Sequence, residues 1–277
     1  MMIRCCCPNC MNPGTVRSTS FRRGERAVFM CEEHAHDMMS YSTKNNSTHG
    51  TEKVNPFTYG VELETSYSTE KARAEILQDG YIPTSDCTVD VEYKSPIYQG
   101  MNALTKHAVT FGRLIDAGEL KIGDECGTHT HIGHKTMINP TTMEYIRRFY
   151  NSLFVPLSDE MKRNPEATER LFGRGFTYYA APVNMESAAI AHVNFINTQH
   201  GYTLEFRLVK FINADQYMNC VRCCKAITEA VVNNFVEHFN DEPNDARRYP
   251  TIRDYRLHKA QVAAEKIVKI FKKYAGI

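Results

Sequence analysis

Hydrophobic and polar side chains alternate along four short segments of this chain, and each segment predicts a β-strand. In FTYGVELET, residues 57–65, Phe, Tyr, Val and Leu occupy odd positions, whereas two glutamates occupy even ones. The same alternation runs through TVDVEYKSP at 88–96, THTHIGH at 128–134 and TLEFRLVKF at 203–211. Because successive side chains of a strand point to opposite faces, each predicted strand has an apolar face and a polar face.

Helical patterns fill the stretches between these strands. The segment 68–80 predicts a helix with Ser68 or Thr69 as its cap, and Pro140 suits the first turn of another helix. Further helices are predicted at 101–117, at about 213–240 and at about 258–274. Strands that bury one face and alternate with helices of varied length are typical of an antiparallel or mixed sheet. The predicted fold class is therefore α+β.

Each polar strand face carries two residues with functional side chains, because residues at i and i+2 lie on the same side of a strand. The pairs are Glu62/Glu64, Asp90/Glu92, His129/His131 and Glu205/Arg207. If these faces converge, five carboxylates share a cleft with two imidazoles and one guanidinium. So many acids repel one another in a dry pocket, and divalent cations relieve that repulsion. Oxygen-rich sites suit magnesium or manganese, so the pattern predicts a site for one of these ions.

A solvent-facing strand surface is the more ordinary explanation for any single pair. The conjunction of four pairs weakens that explanation, and solvation accounts poorly for His-x-His between glycines in CGTHTHIGH at 126–134. The phosphate-binding patterns GxxxxGK(S/T) and GxGxxG are missing from the sequence. The run LFGRGFTYYAAP at 171–182 offers Arg174 to a phosphate, although a plain turn between helix and strand explains it equally well.

The length of 277 residues suffices for one large domain, or for a domain with a small appendage. With 33 basic and 32 acidic residues the formal charge is +1, so no overall field draws the protein to nucleic acid or to a membrane surface. No apolar run approaches the ~18 residues of a membrane-spanning helix, and the opening MMIRCCCPNC lacks the apolar run of a secretory signal. We therefore expect a cytoplasmic protein.

Five of the ten cysteines lie within the first 31 residues. The spacing Cys7-x2-Cys10 and Cys31-x2-His34 is typical of a small zinc ribbon, in which two knuckles supply two ligands each. Alternative ligands close by are Cys5, Cys6 and His36. Unpaired thiols of a reducing compartment are the alternative to a zinc site. Arginines between the knuckles either contact a nucleic acid or protein partner or face the solvent.

The polar stretch YSTKNNSTHGTEKVNP at 41–56 is the candidate linker. We therefore predict a zinc-ribbon-like segment at 1–40, the linker at 41–56 and the main domain at 57–277. Cys220, Cys223 and Cys224 recur at helical spacing beside apolar residues, so we expect them in the core and not on a metal.

Several short motifs follow one another along the main domain. They are GVELE (60–64), Asp86, Thr88, Glu92, Ser95 and Pro96 around the second strand, GTHTH (127–131), GRGFTYY (173–179), Val193-Asn194 and TLEFRL (203–208). In this order they resemble the amidoligase family, relatives of the glutamine synthetase and glutamate-cysteine ligase catalytic fold, over roughly residues 57 to 240. Cys87 stands where that family often has glycine, and Thr130 where it usually has an aliphatic residue. Neither departure removes a charged group.

The resemblance implies a curved, mostly antiparallel sheet flanked by helices, whose concave face holds ATP and magnesium or manganese. By the same resemblance, the metal ligands are Glu62, Glu64, Glu92 and Glu205. His129 and His131 would help to hold metal or phosphate beside the catalytic Glu205, and Arg207 would stabilise the transferring phosphoryl group. Arg174 and Asn194 would join Arg207 in binding the nucleotide.

Such ligases activate a carboxylate with ATP to give an acyl phosphate, from which an amine displaces phosphate to form an amide. The expected substrates are therefore a small-molecule or peptide carboxylate and an amine. One alternative is a zinc-dependent hydrolase built on His129 and His131, which the excess of acids disfavours because catalytic zinc prefers histidine-rich sites. A second alternative is a non-enzymatic adaptor that binds nucleic acid or protein through the zinc ribbon.

Overall fold

The computed structural model describes residues 16–17, 29–30, 56–84, 89–138, 140–178, 180–183, 193–198, 201–238 and 251–277. Contacts divide the chain into two units, Met1–Val54 and Asn55–Ile277. This division falls inside the stretch expected to be a linker, while the predicted boundaries at 40 and 57 stay predictions.

The described part of the first unit is a short antiparallel ribbon of β1, Val16–Arg17, and β2, Phe29–Met30. The proposed zinc ligands lie outside the described residues, and they are Cys7, Cys10, Cys31 and His34. The zinc ribbon therefore stays a prediction.

The second unit is organised around an antiparallel sheet of six strands. These are β3 (Phe57–Thr65), β5 (Ile82–Thr84), β6 (Val91–Lys94), β8 (Thr128–His134), β9 (Val193–Thr198) and β10 (Gly201–Phe206). Their order across the sheet is β5-β6-β3-β8-β10-β9. A separate small pair joins β4, Tyr67–Ser68, to β7, Leu120–Lys121.

Six α-helices accompany the sheet within the described ranges. They are α1 (Glu70–Gln78), α2 (Met101–Asp116), α3 (Pro140–Arg163), α4 (Pro165–Phe172), α5 (Ala214–His238) and α6 (Ile252–Ala275). A 3-10 turn at Lys135–Ile138 leads from β8 towards α3. Thr69 caps α1 as predicted, because its side chain accepts a hydrogen bond from the backbone N–H of Ala72. Helix α6 begins earlier than expected, since Thr251 caps it in the same way.

The apolar face of the sheet packs on the helices. Tyr59, Val61, Leu63, Ile132, Leu204 and Phe206 are buried there. Helix α5 lies against this face, because the Tyr217 and Thr130 hydroxyls are 3.2 Å apart. Burial of such side chains stabilises a fold by about 1.5–3 kcal/mol each. The charged residues of the alternating strands lie on the opposite, polar face of the sheet.

Cys220, Cys223 and Cys224 of α5 are fully buried, which confirms their prediction as core residues. The antiparallel sheet with its helices likewise confirms the mixed α and β architecture. Among the helices of the described ranges, none has both the length and the apolar character needed to cross a bilayer.

Candidate functional site

Strand register brings the predicted functional pairs onto neighbouring positions of one sheet face. Along the two central strands, Glu62 of β3 pairs with His129 of β8. On one side of them, Glu205 of β10 pairs with His131, and on the other side Glu64 pairs with Glu92 of β6. Because directly opposed residues of paired strands point the same way, these side chains share the polar face of the sheet. The convergence expected from the alternation is therefore present for Glu62, Glu64, Glu92, His129, His131 and Glu205.

Glu205 is the most deeply buried acid of this face, with 1 % of its surface exposed. Its Oε1 lies 3.0 Å from Nη1 of Arg207 and 3.4 Å from Nδ1 of His129. Its Oε2 is buried without a hydrogen-bond partner. A buried polar atom left unpaired costs roughly 1–3 kcal/mol, so this oxygen marks a place that suits a cation.

Three carboxylates surround the imidazole of His129. Its Nδ1 lies 3.5 Å from Oε2 of Glu62 as well as close to Glu205, and its Nε2 lies 3.5 Å from Oε1 of Glu64. One potential ligand atom from each of Glu62, His129 and Glu205 falls within 4.8 Å of the others. Two carboxylates and one imidazole at this separation form a donor set that fits a divalent cation.

His131 lies beside this group on the same strand. Its Nδ1 is 3.0 Å from the hydroxyl of Thr203, which fixes the orientation of the ring. Its Nε2 is buried without a hydrogen-bond partner and lies 3.6 Å from Oε1 of Glu62. A second ring nitrogen therefore faces the same cluster of acids.

Several groups act on the carboxyl group of Glu62. Burial alone would raise the pKa of Glu62, but the nearby imidazoles of His129 and His131 and the charge of Lys94 lower it. The resulting pKa lies well below its ordinary value. Glu62 is therefore ionised and able to bind a cation.

Lys94 lies on the same face but was not among the predicted site residues. Its Nζ is 3.2 Å from Oε1 of Glu62 and 3.5 Å from Oε2 of Glu92. Burial alone would lower the pKa of Lys94, but the two glutamates raise it above its ordinary value. Extending the alternation two residues past Glu92 would have found this lysine.

Backbone geometry around Gly127 holds Glu64 in place. The backbone N–H of Gly127 donates to Oε2 of Glu64. A Cβ atom at this glycine would lie only 2.7 Å from Nη2 of Arg174 and 2.8 Å from Nε2 of His129. The glycine of the GTHTH motif thus permits an acid, an arginine and a histidine to approach one another.

Arg174 follows Gly173, which ends α4 in the left-handed conformation at φ 85°. The guanidinium of Arg174 is buried, and burial lowers its pKa. It donates to three main-chain carbonyls, at 3.3 Å to Leu208, at 3.3 Å to Cys126 and also to Arg207. These bonds tie the loop after α4 to the segment after β10. Its role towards a phosphate stays a prediction.

Two residues of the predicted set lie differently from the rest. Asp90 lies just before the first residue of β6. Its carboxylate pairs at 3.0 Å with Arg73 of α1 and does not join the acid cluster. The backbone of Asn194 pairs with Glu205, and its side chain lies outside the described residues. Nucleotide binding by Asn194 therefore stays a prediction.

The site thus defines a carboxylate-rich sheet face whose donor atoms could hold a metal ion. A model of the family described as "Putative amidoligase enzyme" matches residues 30–272. The chain belongs to this amidoligase family, which forms amide bonds, and the membership confirms the ligase class that the motifs indicated. No curated protein matches the chain.

Proposed function

We propose that this protein is an ATP- and magnesium-dependent ligase that joins a carboxylate to an amine through an acyl phosphate. The family supplies the amide-forming class. The observation that most directly supports the proposal is the buried, unpaired Oε2 of Glu205, which lies beside the ligand atoms of Glu62 and His129. The proposal extends to a glutamine synthetase-like sheet, which the antiparallel topology with its one polar face supports.

The donor atoms of the face fit magnesium or manganese better than zinc. Glu62 and Glu205 supply carboxylate oxygens around the imidazole of His129, Glu64 lies 3.5 Å from that imidazole, and the acids outnumber the two histidines of the face. Oxygen donors suit the harder cations, whereas catalytic zinc is usually bound mainly by histidine. When bound, the metal neutralises charge on the phosphate oxygens of the nucleotide. Of the four glutamates that the resemblance implies as ligands, Glu62 and Glu205 form this donor set with His129, and Glu64 and Glu92 lie on the adjoining positions of the same face.

Arginine and histidine side chains provide the remaining electrostatic interactions with the transferring phosphoryl group. Arg207 lies at the end of β10, and Glu205 fixes its guanidinium through Nη1 at 3.0 Å. A planar guanidinium held in this way is placed to donate to the oxygens of a transferring phosphoryl group. His131, held by Thr203, directs its Nε2 at the same face. Positioning and charge neutralisation suffice for phosphoryl transfer, so the reaction needs no protein nucleophile.

The test is a screen of amino acids and polyamines for stimulated ATP hydrolysis, with amide products detected by mass spectrometry. We expect turnover that requires magnesium, and a loss of about 100-fold in Glu62→Ala and in Arg207→Ala. The matched control is Glu75→Gln, an acid of α1 that pairs with Arg113 outside the site. Control turnover should equal that of the unchanged protein.

Unaltered turnover in both site variants would contradict the assignment of this face. Amide hydrolysis that depends on zinc and proceeds without ATP would favour the hydrolase instead. Salt-sensitive nucleic-acid binding with no ATP binding by calorimetry would favour the adaptor.

A further inference from the structure

Lys94 lies among acids for which divalent metals are the expected neutralising ions. It is part of β6 and pairs directly with Glu62 of β3, so its side chain lies on the same polar face of the sheet. Its Nζ bridges Glu62 and Glu92, at 3.2 and 3.5 Å from one oxygen of each. The two carboxylates come from adjacent strands, and the ammonium group joins them.

The other end of the acid cluster is arranged differently. There, Oε2 of Glu205 and Nε2 of His131 are both buried without a hydrogen-bond partner. Arg207 is directed at Oε1 of Glu205 and not at this second oxygen. The Glu205 end therefore offers unpaired donors to a cation, whereas the Glu92 end already has a cation supplied by the chain.

We propose that Lys94 is a built-in counter-ion between Glu62 and Glu92, which confines divalent metal to the group formed by Glu62, His129 and Glu205. The inference rests on the proposed function, which requires a bound metal. It specifies in addition how many ions bind and where they bind. An ammonium group between two close carboxylates offsets part of their repulsion by the same electrostatics as a metal ion. A magnesium ion bound to both would need oxygen distances of about 2.1 Å, which the lysine obstructs.

The expected effect is a change in the number of bound ions. The full chain is titrated with Mn²⁺ alone, and free Mn²⁺ is counted by its paramagnetic resonance signal. We expect Lys94→Met to bind one more ion per chain than the unchanged protein, because the neutral side chain leaves Glu62 and Glu92 without a cation. Lys94→Arg keeps the charge and should bind no additional ion.

Lys71→Met is the matched control. Lys71 forms an ion pair with Glu119, at 2.6 Å, and belongs to α1 and not to the sheet that carries the site. We expect this variant to bind the same number of ions as the unchanged protein. Since the Lys94 side chain is 46 % exposed, its replacement should leave the fold intact, and melting temperatures check this.

Equal ion counts in Lys94→Met and the unchanged protein, including no binding by either, would overturn the inference. An extra ion in Lys71→Met or in Lys94→Arg would overturn it as well. The titration contains no ATP and no amine. A protein that gains the extra ion but fails to turn over ATP would therefore contradict the ligase proposal and support the role of Lys94.

Discussion

At the scale of single residues, Glu205 combines two opposed environments within one side chain. Arg207 compensates one carboxylate oxygen, while the other is buried without a partner. Folded proteins pair almost all such atoms, so an exception is best explained by a group that arrives later. The same oxygen is therefore both a cost to the metal-free fold and the centre of the proposed site.

Replacement of Glu205 by glutamine should remove most of the stabilisation that a divalent ion provides. A ligand at 100 times its dissociation constant stabilises the folded state by about 2.7 kcal/mol. We expect added Mn²⁺ to raise the melting temperature of the unchanged protein, and a metal affinity at least about tenfold weaker in Glu205→Gln. Glu75→Gln should respond like the unchanged protein, and an equal rise in Glu205→Gln would exclude this oxygen as a ligand.

His107 of α2 gives the fold a sensitivity to acid that is separate from the site. Its Nδ1 lies 3.2 Å from Oδ2 of Asp79, and its ring packs beside Tyr98 and Tyr81. Burial lowers the pKa of His107 from 6.5, with a smaller contribution from Lys106 and partial opposition from Asp79. The unfolded chain therefore binds the proton more readily than the folded one.

As the pH falls through about 6.5, protonation of His107 should favour the unfolded state, and stability should decline until the lower pKa of the folded state is reached. His107→Phe keeps a ring beside Tyr98 and removes the titration. We expect its free energy of unfolding, from urea denaturation, to fall less between pH 7.5 and 5.5. The same fall in both proteins would show that His107 does not contribute to the acid sensitivity.

At the scale of elements, the end of α4 sets the position of a buried arginine. Gly173 adopts φ 85°, and a Cβ there would lie 2.1 Å from the carbonyl oxygen of Lys210. The Lys210 backbone N–H also donates to Phe172 at 2.7 Å. The glycine thus allows the end of α4 to contact the chain after β10. This contact sets the position of Arg174, the residue that follows the glycine.

Gly173→Ala should lower the free energy of unfolding by roughly 3 kcal/mol, of which the left-handed backbone accounts for 1–2 and the clash for the rest. Gly118→Ala is the control, since Gly118 has φ 69° and open space around its Cβ position. Gly118→Ala should lower the free energy of unfolding only by the contribution of the left-handed backbone, about 1–2 kcal/mol. Chemical denaturation compares the two variants, and equal losses would show that the contact with Lys210 is unimportant.

Elements with strong local patterns were predictable from sequence. The alternation at 57–65 and at 128–134 became β3 and β8 with the predicted bounds. The alternation at 203–211 extended too far, because β10 ends at Phe206 and Arg207 reaches Glu205 from beyond the strand. Strands β5 and β9 were missed, since β5 has three residues and β9, VNFINT, lacks strict alternation.

At the scale of the whole molecule, all the described site residues come from the unit Asn55–Ile277. Their pairing joins positions far apart in sequence, such as Glu62 with His129 and His131 with Glu205. Alternation shows which side chains share a face of one strand, but strand order and register depend on long-range packing. The members of the site were therefore predictable, whereas their contacts, and the bridging role of Lys94, were not.

A chain beginning at Asn55 should fold and bind Mn²⁺ like the full chain, because the sheet and its helices lie in that unit. Zinc analysis by mass spectrometry should find about one zinc ion in the full chain and none in the shorter one, as the spacing of Cys7, Cys10, Cys31 and His34 predicts. Cys7→Ser with Cys10→Ser in the full chain should abolish zinc content. Tightly bound zinc in the shorter chain would contradict the prediction.

The order of strands across the sheet also has a consequence for synthesis of the protein. Glu62 leaves the ribosome early, but Glu205 reaches the sheet only when β10 has emerged and paired with β8. A nascent chain that stops short of β10 therefore presents its acids and histidines without the buried oxygen that we propose as a metal ligand. If the proposed function holds, the domain can therefore bind the metal ion only after its sheet is complete.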